Sequence, residues 1–580
     1  MLLVKRKILQ SLTMKCTLAT VAIFPIVGCA QTETVTEAPA VDVSATTSVV
    51  VPAQEGAALA APSQELVNQR REELQKTLPA GVSLKYLAEL SVVYASADEM
   101  KPLWQDESAQ KAFQAQLAEV ALSGVNSQFG QWVTQLTNPE LTGMARDAVL
   151  SDAMLGYLHF VNGVYANGNR WLYRADTYKM AAPAKAEIEQ WQQAAKDGRL
   201  GDFVQNLAPK NPLYQKMRAA MIPLIADSQP WPQLAMAKQS LRPGNSSKDV
   251  PALREILTRS GLLEKAADAV EGQDAAKSQV SLAYDKGLVE AVKKFQQMYG
   301  LEADGAIGNS TREALNMAPQ TRAAILALNI QRLRLLPAAW DHGVFVNIPD
   351  YSLVYYVNGE RILESKVIVG SVRRKTPLMS SAMNNVVVNP PWNVPAKLIR
   401  EDLVPKAKRD AEYLKRQGYT VYSGYGKNAE VVDPSTIDWS EGSGKYRLQQ
   451  APGRGNALGR FKFNMPNDEA IYLHDTPNHR LFDKNMRALS SGCIRVNKAA
   501  ELANMLLNDA GWDDGRIQNT LKRGSTTFAE IREKIPVQLY YLTSWVSTEG
   551  QPEFRSDIYG YDRLALAGVK ELPQIEKLLR

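Results

Sequence analysis

"SSGCIRV", residues 490–496, holds one of only three cysteines in a chain of 580 residues, and the other two lie within the first 29. A thiol between a glycine and an arginine is either a small buried hydrophobe or a nucleophile. A thiol nucleophile needs a base that takes its proton or lowers its pKa. Beyond His342 the chain offers two histidines, His474 and His479. His474 directly follows the strand-like run Ala470-Ile471-Tyr472-Leu473, so a rigid element would aim it. His479 lies in a polar turn with Pro477 and Asn478 and reads as a loop residue or a substrate contact. Gly492 lets the backbone approach a substrate closely, and successive amides around Gly492 and Cys493 can hold an oxyanion. A helix is expected next, with Asn497 as its cap and Ala500, Ala503 and Leu507 facing inward. A zinc site is the competing chemistry. His474 and His479 are five apart, against the four of a helical HExxH motif, and Cys493 as a third ligand completes no standard spacing. No metal is expected.

The texture around this stretch is β. "VFVNIPDYSLVYYVNGERILESKVIVG", residues 344–370, is rich in Val, Ile and Tyr, and Asn358-Gly359 between two apolar runs is a hairpin signal. "NNVVVNPPWNVP" (384–395), "AIYLHDT" (470–476) and "IPVQLYYLTSWV" (535–546) add strands. Together they predict a mostly β domain over 341–548. Residues 397–450, which begin as a charged helical stretch, interrupt it as an insertion able to cover a site. Residues 549–580 read as a C-terminal tail.

Upstream the pattern is helical. Residues 65–240 use strong helix formers, as in "SAQKAFQAQLAEVAL" (108–122), and carry no chemical motif. His159 there reads as a packing histidine. Residues 241–318 form a small three-helix module. Leu253, Ile256 and Leu257 share one helical face; Leu288, Val292, Phe295 and Tyr299 share another. An Asp304-Gly305 turn precedes a third helix near Thr311. Residues 319–340 are a connector helix.

A chain of this length divides into several domains. The net charge of +6 is a mild excess, with no run of Lys and Arg interleaved with aromatics, which argues against a nucleic-acid binder. The N-terminus carries Lys5, Arg6, Lys7 and Lys15 ahead of a 13-residue, mostly apolar stretch, too short to span a bilayer but suited to a signal-peptide core over 1–29. Ile26-Val27-Gly28-Cys29 resembles a bacterial lipobox, which makes Cys29 a candidate lipidation site; cleavage after Ala30 is the alternative. Residues 30–64, rich in Ala, Thr, Val, Glu and Pro, read as a flexible tether. In an exported chain a lone Cys493 suggests a reactive role.

Leu473-His474-Asp475-Thr476, followed after 18 intervening residues from His474 by Cys493 within Ser490-x-Gly492-Cys493-x-Arg495, resembles the signature of L,D-transpeptidases with a YkuD-type catalytic domain. "RKTPLMSS" (374–381), "QQAPGRGNALGRFKFNMP" (449–466) and "RALSSGCIRVNKA" (487–499) resemble the large Gram-negative YcbB type. Ala291-Val292, Phe295-Gln296, Gly300-Leu301, Asp304-Gly305, Gly308 and Thr311 resemble a peptidoglycan-binding module, with 266–283 departing from it like a loop insertion. Asp475 and Ser491 depart from the broader family, where Gly and His or Lys are usual. The resemblance implies a multidomain α+β fold: a helical scaffold, a small peptidoglycan-binding module and a mostly β catalytic domain with a lid insertion.

By the same resemblance, Cys493 is the nucleophile and His474 the general base, with a backbone carbonyl as third member. Ser490, Ser491, Gly492 and Arg495 surround the reaction, and Arg495 either binds a peptide carboxylate or holds the loop. Tyr472, Trp392, Asn393 and His479 are candidate wall or substrate contacts. The implied reaction joins two peptidoglycan tetrapeptide stems 3→3 through a cysteine thioester, with loss of D-Ala and without a cofactor. Carbapenems are expected to acylate Cys493. The implied location is the periplasm of a Gram-negative bacterium, with other cell-wall synthases as potential partners and membrane attachment only through Cys29. The alternatives are hydrolysis, lipoprotein attachment, or a non-catalytic wall-binding scaffold.

Overall fold

The computed structural model describes residues 62–579, apart from 98, 174, 236–238, 265–280 and 427. The signal-like segment, Cys29, the tether up to residue 61 and most of the expected 266–283 loop lie outside the described residues. Among the described residues no helix is long and apolar enough to cross a membrane.

Among the described residues eight helices, from Gln64–Thr77 to Leu213–Ala226, build the first region around the long helix Gly143–Trp171. Two carboxylates on that helix, Asp147 and Asp152, are buried and fully engaged. Asp147 accepts the amides of Leu103 and Trp104 and the Tyr94 hydroxyl; Asp152 accepts the amides of Lys85 and Tyr86 and the Trp132 indole. A buried charge is tolerable only when its hydrogen bonds are met, so these pairs fix the flanking loops. In the next region Val250–Arg259, Lys286–Met298 and Asn309–Leu315 are the three helices of the small module. Gln296 ties its Asp304-Gly305 turn: the Gln296 side-chain oxygen accepts the Gly305 amide, and its nitrogen donates to Asp304 and to the Ala306 carbonyl. The module meets the β region through stacked Tyr299 and Phe554, and Asn485 donates to Glu302.

The connector helix Pro319–Arg332 is buried along most of its length. Fully enclosed Arg332 pairs with Asp562 at 2.7 Å, donates to the carbonyls of Leu172 and Tyr561, and lies over the Tyr173 ring. One side chain thereby joins the helical region, the connector and the C-terminal segment.

Among the described residues the β region has fifteen strands: β1 Gly343–Asn347, β2 Ser352–Val357, β3 Glu360–Gly370, β4 Met379–Val388, β5 Trp392–Asn393, β6 Tyr419–Tyr422, β7 Val431–Val432, β8 Arg447–Gln450, β9 Phe461–Asn464, β10 Leu473–His474, β11 Ala488–Ser490, β12 Ile494–Val496, β13 Thr527–Tyr540, β14 Ser544–Val546 and β15 Pro552–Phe554. The main sheet runs β11-β3-β12-β10-β9-β4-β13-β1-β2, and a further β2–β3 pairing closes it into a barrel-like form with β11 at the edge. Asn358 and Gly359 have φ of 51° and 78°, the left-handed pair that a two-residue β2–β3 hairpin requires. Between β4 and β9 the insertion forms its own four-stranded sheet, β5-β8-β6-β7. Its small core of Val394, Ile399, Leu403, Val404, Ala407, Leu414, Val421, Trp439 and Leu448 is separate from the main one. The charged stretch opening it is helical from Ala396 to Ala407, with a π-helical turn at Ile399–Leu403 inside that run, and a short helix Tyr413–Arg416 follows.

Two expectations from sequence need correction. Residues 549–580 are not a loose tail: β15 pairs with β14, and the helix Leu572–Leu579 packs on Glu107–Leu122 with Ile575 fully buried. Leu572, Ile575 and Leu579 recur at i, i+3 and i+7, an apolar stripe that demands cover. Asn497 is not a helix cap. The helix spans Ala499–Asp509 after Lys498 and buries Ala499, Leu502, Ala503, Leu506 and Leu507, while Ala500 is exposed. The Asn497 amide donates instead to the Lys366 carbonyl, continuing the β3–β12 pairing.

Candidate active site

β10 and β12 are adjacent and parallel, with Leu473 opposite Ile494 and His474 opposite Arg495. Strand residues alternate faces. Leu473 and Ile494 are fully buried in the core, so Tyr472, His474, Cys493 and Arg495 share the other face. β9 lies on the far side of β10 with Lys462 opposite His474. Lys462, between core residues Phe461 and Phe463, therefore joins the same face, its ammonium 4.2 Å from the centre of the Tyr472 ring.

His474 is buried, and its Nδ1 lies 2.5 Å from the Asp475 carbonyl oxygen. A carbonyl only accepts, so Nδ1 carries the proton and Nε2 keeps its lone pair. Burial, helped by the positive charges of Arg495 and Lys462, holds the imidazole pKa down at about 3. Burial also pushes the Cys493 thiol above its ordinary value, against the amide and hydroxyl of Tyr472 and the charges of Lys462 and Arg495. The Cys493 Sγ faces the Ala470 carbonyl at 3.8 Å. The resting pair is thus a neutral thiol and a neutral imidazole, which suits general-base chemistry at the moment of attack. Alkylation of Cys493 by iodoacetamide should accordingly be slow at neutral pH and keep rising past pH 9.0, the ordinary thiol value. A rate already at its plateau near neutrality would instead mean a preformed thiolate–imidazolium pair.

The turn before the thiol is held from several sides. Ser490 Oγ donates to the Cys493 carbonyl at 2.6 Å and accepts the Gly492 amide at 3.2 Å. The Gly492 amide is therefore spent, which corrects the expectation of two oxyanion donors; among the described residues none accepts from the Cys493 amide. Gly492 has φ 124°, a conformation that side-chain-bearing residues rarely adopt. Thr376 Oγ1 donates to the Gly492 carbonyl at 2.7 Å and accepts the Gly370 amide. The Thr376 amide donates to the Tyr559 hydroxyl, which donates to the Gly370 carbonyl at 2.6 Å. Removing that hydroxyl strands two buried backbone groups and loosens Thr376. Tyr559→Phe should lower kcat about tenfold with KM nearly unchanged, checked by steady-state kinetics.

The other sequence candidates fall around this core. Trp392 lies close enough to Tyr472 to act on its hydroxyl, which brings β5 of the insertion to the catalytic face. Asn393 is occupied within the insertion, accepting from Gln449. His479 is exposed and sits aside, between Asp475 and Asn497. Asp475 braces the site from behind, accepting the Arg460 amide at 2.8 Å. Ser491 is exposed and accepts from Arg374. The Arg495 guanidinium has no hydrogen-bond partner among the described residues, and its Nε is buried. Sequence reasoning missed Lys462, Arg374, Thr376 and Tyr559. Lys462 left a signal as the polar member of an alternating Phe-Lys-Phe strand, and Arg374 and Thr376 lie in the 374–381 stretch that carries the resemblance, though with no role attached to them; Tyr559 left none. Among the described residues, no group of three or more His, Cys, Asp or Glu is placed to hold a metal ion.

Comparison with known proteins gives the family. Residues 341–526 match the YkuD model, described as an L,D-transpeptidase catalytic domain. Residues 88–221 match a scaffold domain and 246–315 a "Putative peptidoglycan binding domain". A Haemophilus influenzae protein named "Putative L,D-transpeptidase" is 35% identical over 512 residues, covering 87% of this chain and 85% of the relative. A solved L,D-transpeptidase structure from Xylanimonas cellulosilytica aligns at 16% identity over 53% of this chain and all of its own, but with a TM-score of 0.17 it carries no argument. The chain belongs to the L,D-transpeptidase family, combining a YkuD catalytic domain with a scaffold domain and a peptidoglycan-binding domain.

Proposed function

We propose that this L,D-transpeptidase forms 3→3 cross-links between meso-diaminopimelate residues of peptidoglycan stems through a thioester on Cys493. The observation that carries the reading is His474, its Nδ1 committed to the Asp475 carbonyl, on one sheet face with Cys493. As Sγ attacks the carbonyl of diaminopimelate in a donor tetrapeptide, His474 Nε2 takes the thiol proton. The imidazolium, stabilised by the Asp475 carbonyl, hands that proton to the amine of the leaving D-Ala. The Cys493 amide supports the developing oxyanion. The side-chain amine of a second diaminopimelate then opens the thioester, with His474 again taking a proton, and the thiol is restored. Arg495, a partnerless guanidinium on this face, suits a stem carboxylate.

The cell-wall family fits action outside the cytoplasm. Periplasmic placement, lipidation at Cys29, partnership with other synthases and carbapenem acylation of Cys493 are parts of the same proposal. The test is mass spectrometry of the purified protein mixed with a disaccharide-tetrapeptide. A dimer lacking one D-Ala is expected. A tripeptide monomer alone would replace the reading with hydrolysis, and an unchanged substrate would favour a wall-binding scaffold.

A further inference from the structure

The insertion touches the catalytic turn through one guanidinium. Arg374, in the loop between β3 and β4, donates from Nη1 to Asp402 Oδ2 at 2.6 Å and to Ser491 Oγ at 3.0 Å. From Nη2 it donates to Asp402 Oδ1 at 2.7 Å and to Glu401 Oε2 at 2.9 Å. Ser491 lies two residues before Cys493, a span of at most ~7 Å of chain. Glu401 and Asp402 belong to the π-helical turn Ile399–Leu403, in a part of the chain with its own small core. Such π-turns often mark functional positions.

Three features make this contact more than a brace. Asp402 alone satisfies the fork of the guanidinium, so Glu401 is a second carboxylate on a group already neutralised. The side chains of Glu401 and Asp402 are 36% and 40% exposed, so water and an incoming anion can reach the pair. The cation also donates to exposed Ser491, on the solvent side of the nucleophile's turn. On the functional reading above, that stem carries a carboxylate one residue beyond the bond to be broken.

We propose that Arg374 is a binding residue for a stem carboxylate, and that Glu401 and Asp402 occupy it in the unloaded enzyme as internal competitors. Substrate arrival exchanges one carboxylate for another and releases the insertion from the turn at the same step. The inference rests on the proposed substrate class, and its test is separable from it.

Binding is read by calorimetry on full-chain Cys493→Ala protein, so turnover plays no part. The probes are a disaccharide-tetrapeptide with free carboxylates and the same compound with its carboxylates amidated. Arg374→Gln should weaken binding of the free acid about tenfold and leave the amidated probe within about twofold. Glu401→Gln/Asp402→Asn should tighten binding of the free acid several-fold by removing the competitors. Arg374→Lys, which keeps the charge but not the fork, should fall between wild type and Arg374→Gln. Equal losses for both probes, no loss for either, or weaker binding in the Glu401/Asp402 variant would overturn the proposal and leave Arg374 a structural latch. Release of D-Ala by the wild-type protein reports separately on the cross-linking reading.

Discussion

Cys493→Ala should lower release of D-Ala from a tetrapeptide stem by at least about a thousandfold, to the level of the buffer reaction. The substitution removes the thiol and leaves the turn standing. Ser490 holds the Cys493 carbonyl and the Gly492 amide, Thr376 holds the Gly492 carbonyl, and none of these bonds uses the sulfur. Loss of activity would therefore be loss of chemistry, with an unchanged melting curve and unchanged binding to isolated sacculi as controls. Cys493→Ser should be nearly as inert, because a hydroxyl is far less acidic than a thiol whose own pKa burial has already raised. D-Ala release within about tenfold of wild type in Cys493→Ala would remove Cys493 from the nucleophile's role.

His474→Ala should cost about a thousandfold in the rate of Cys493 acylation at neutral pH. The size follows from the resting state. With the thiol held above its ordinary value, almost no thiolate exists near neutrality, and without Nε2 the proton has no nearby acceptor. The pH dependence should change as well. In the wild type the imidazole pKa is held at about 3, so the base stays deprotonated and no acid limb from His474 falls between pH 5 and 8. In the variant the rate should climb roughly tenfold per pH unit up to the thiol pKa, since only hydroxide prepares the nucleophile. Single-turnover mass spectrometry of the acyl-enzyme across pH measures both. A wild-type acid limb near neutrality would contradict the buried, neutral imidazole.

The chemistry was the most legible part of this sequence. Cys493 and His474 stand beside strand-like runs whose alternation puts reactive residues opposite the buried Leu473 and Ile494. The order of the helical regions was legible because apolar stripes at helical spacing are local. What escaped depends on long-range pairing. The fate of the Gly492 amide is decided by Ser490, which is near in sequence, but the turn's support comes from Thr376 and Tyr559, on either side of it and far away. Asn497 looked like a cap because local rules favour it; the extension of β12 against Lys366 claimed its amide first. Leu572, Ile575 and Leu579 gave a short helical signal whose partner, Glu107–Leu122, lies at the opposite end of the chain.

The support that Tyr559 gives to the catalytic turn has a consequence for when the enzyme becomes competent. A ribosome makes Cys493 and His474 well before Tyr559, and Leu572–Leu579 later still. A nascent chain holding both reactive residues thus lacks the brace behind its turn and the cover over Glu107–Leu122. Contacts between such distant parts form late, because closing the largest loops costs the most chain entropy. The full rate is therefore reached only after the far segment has docked behind the catalytic turn.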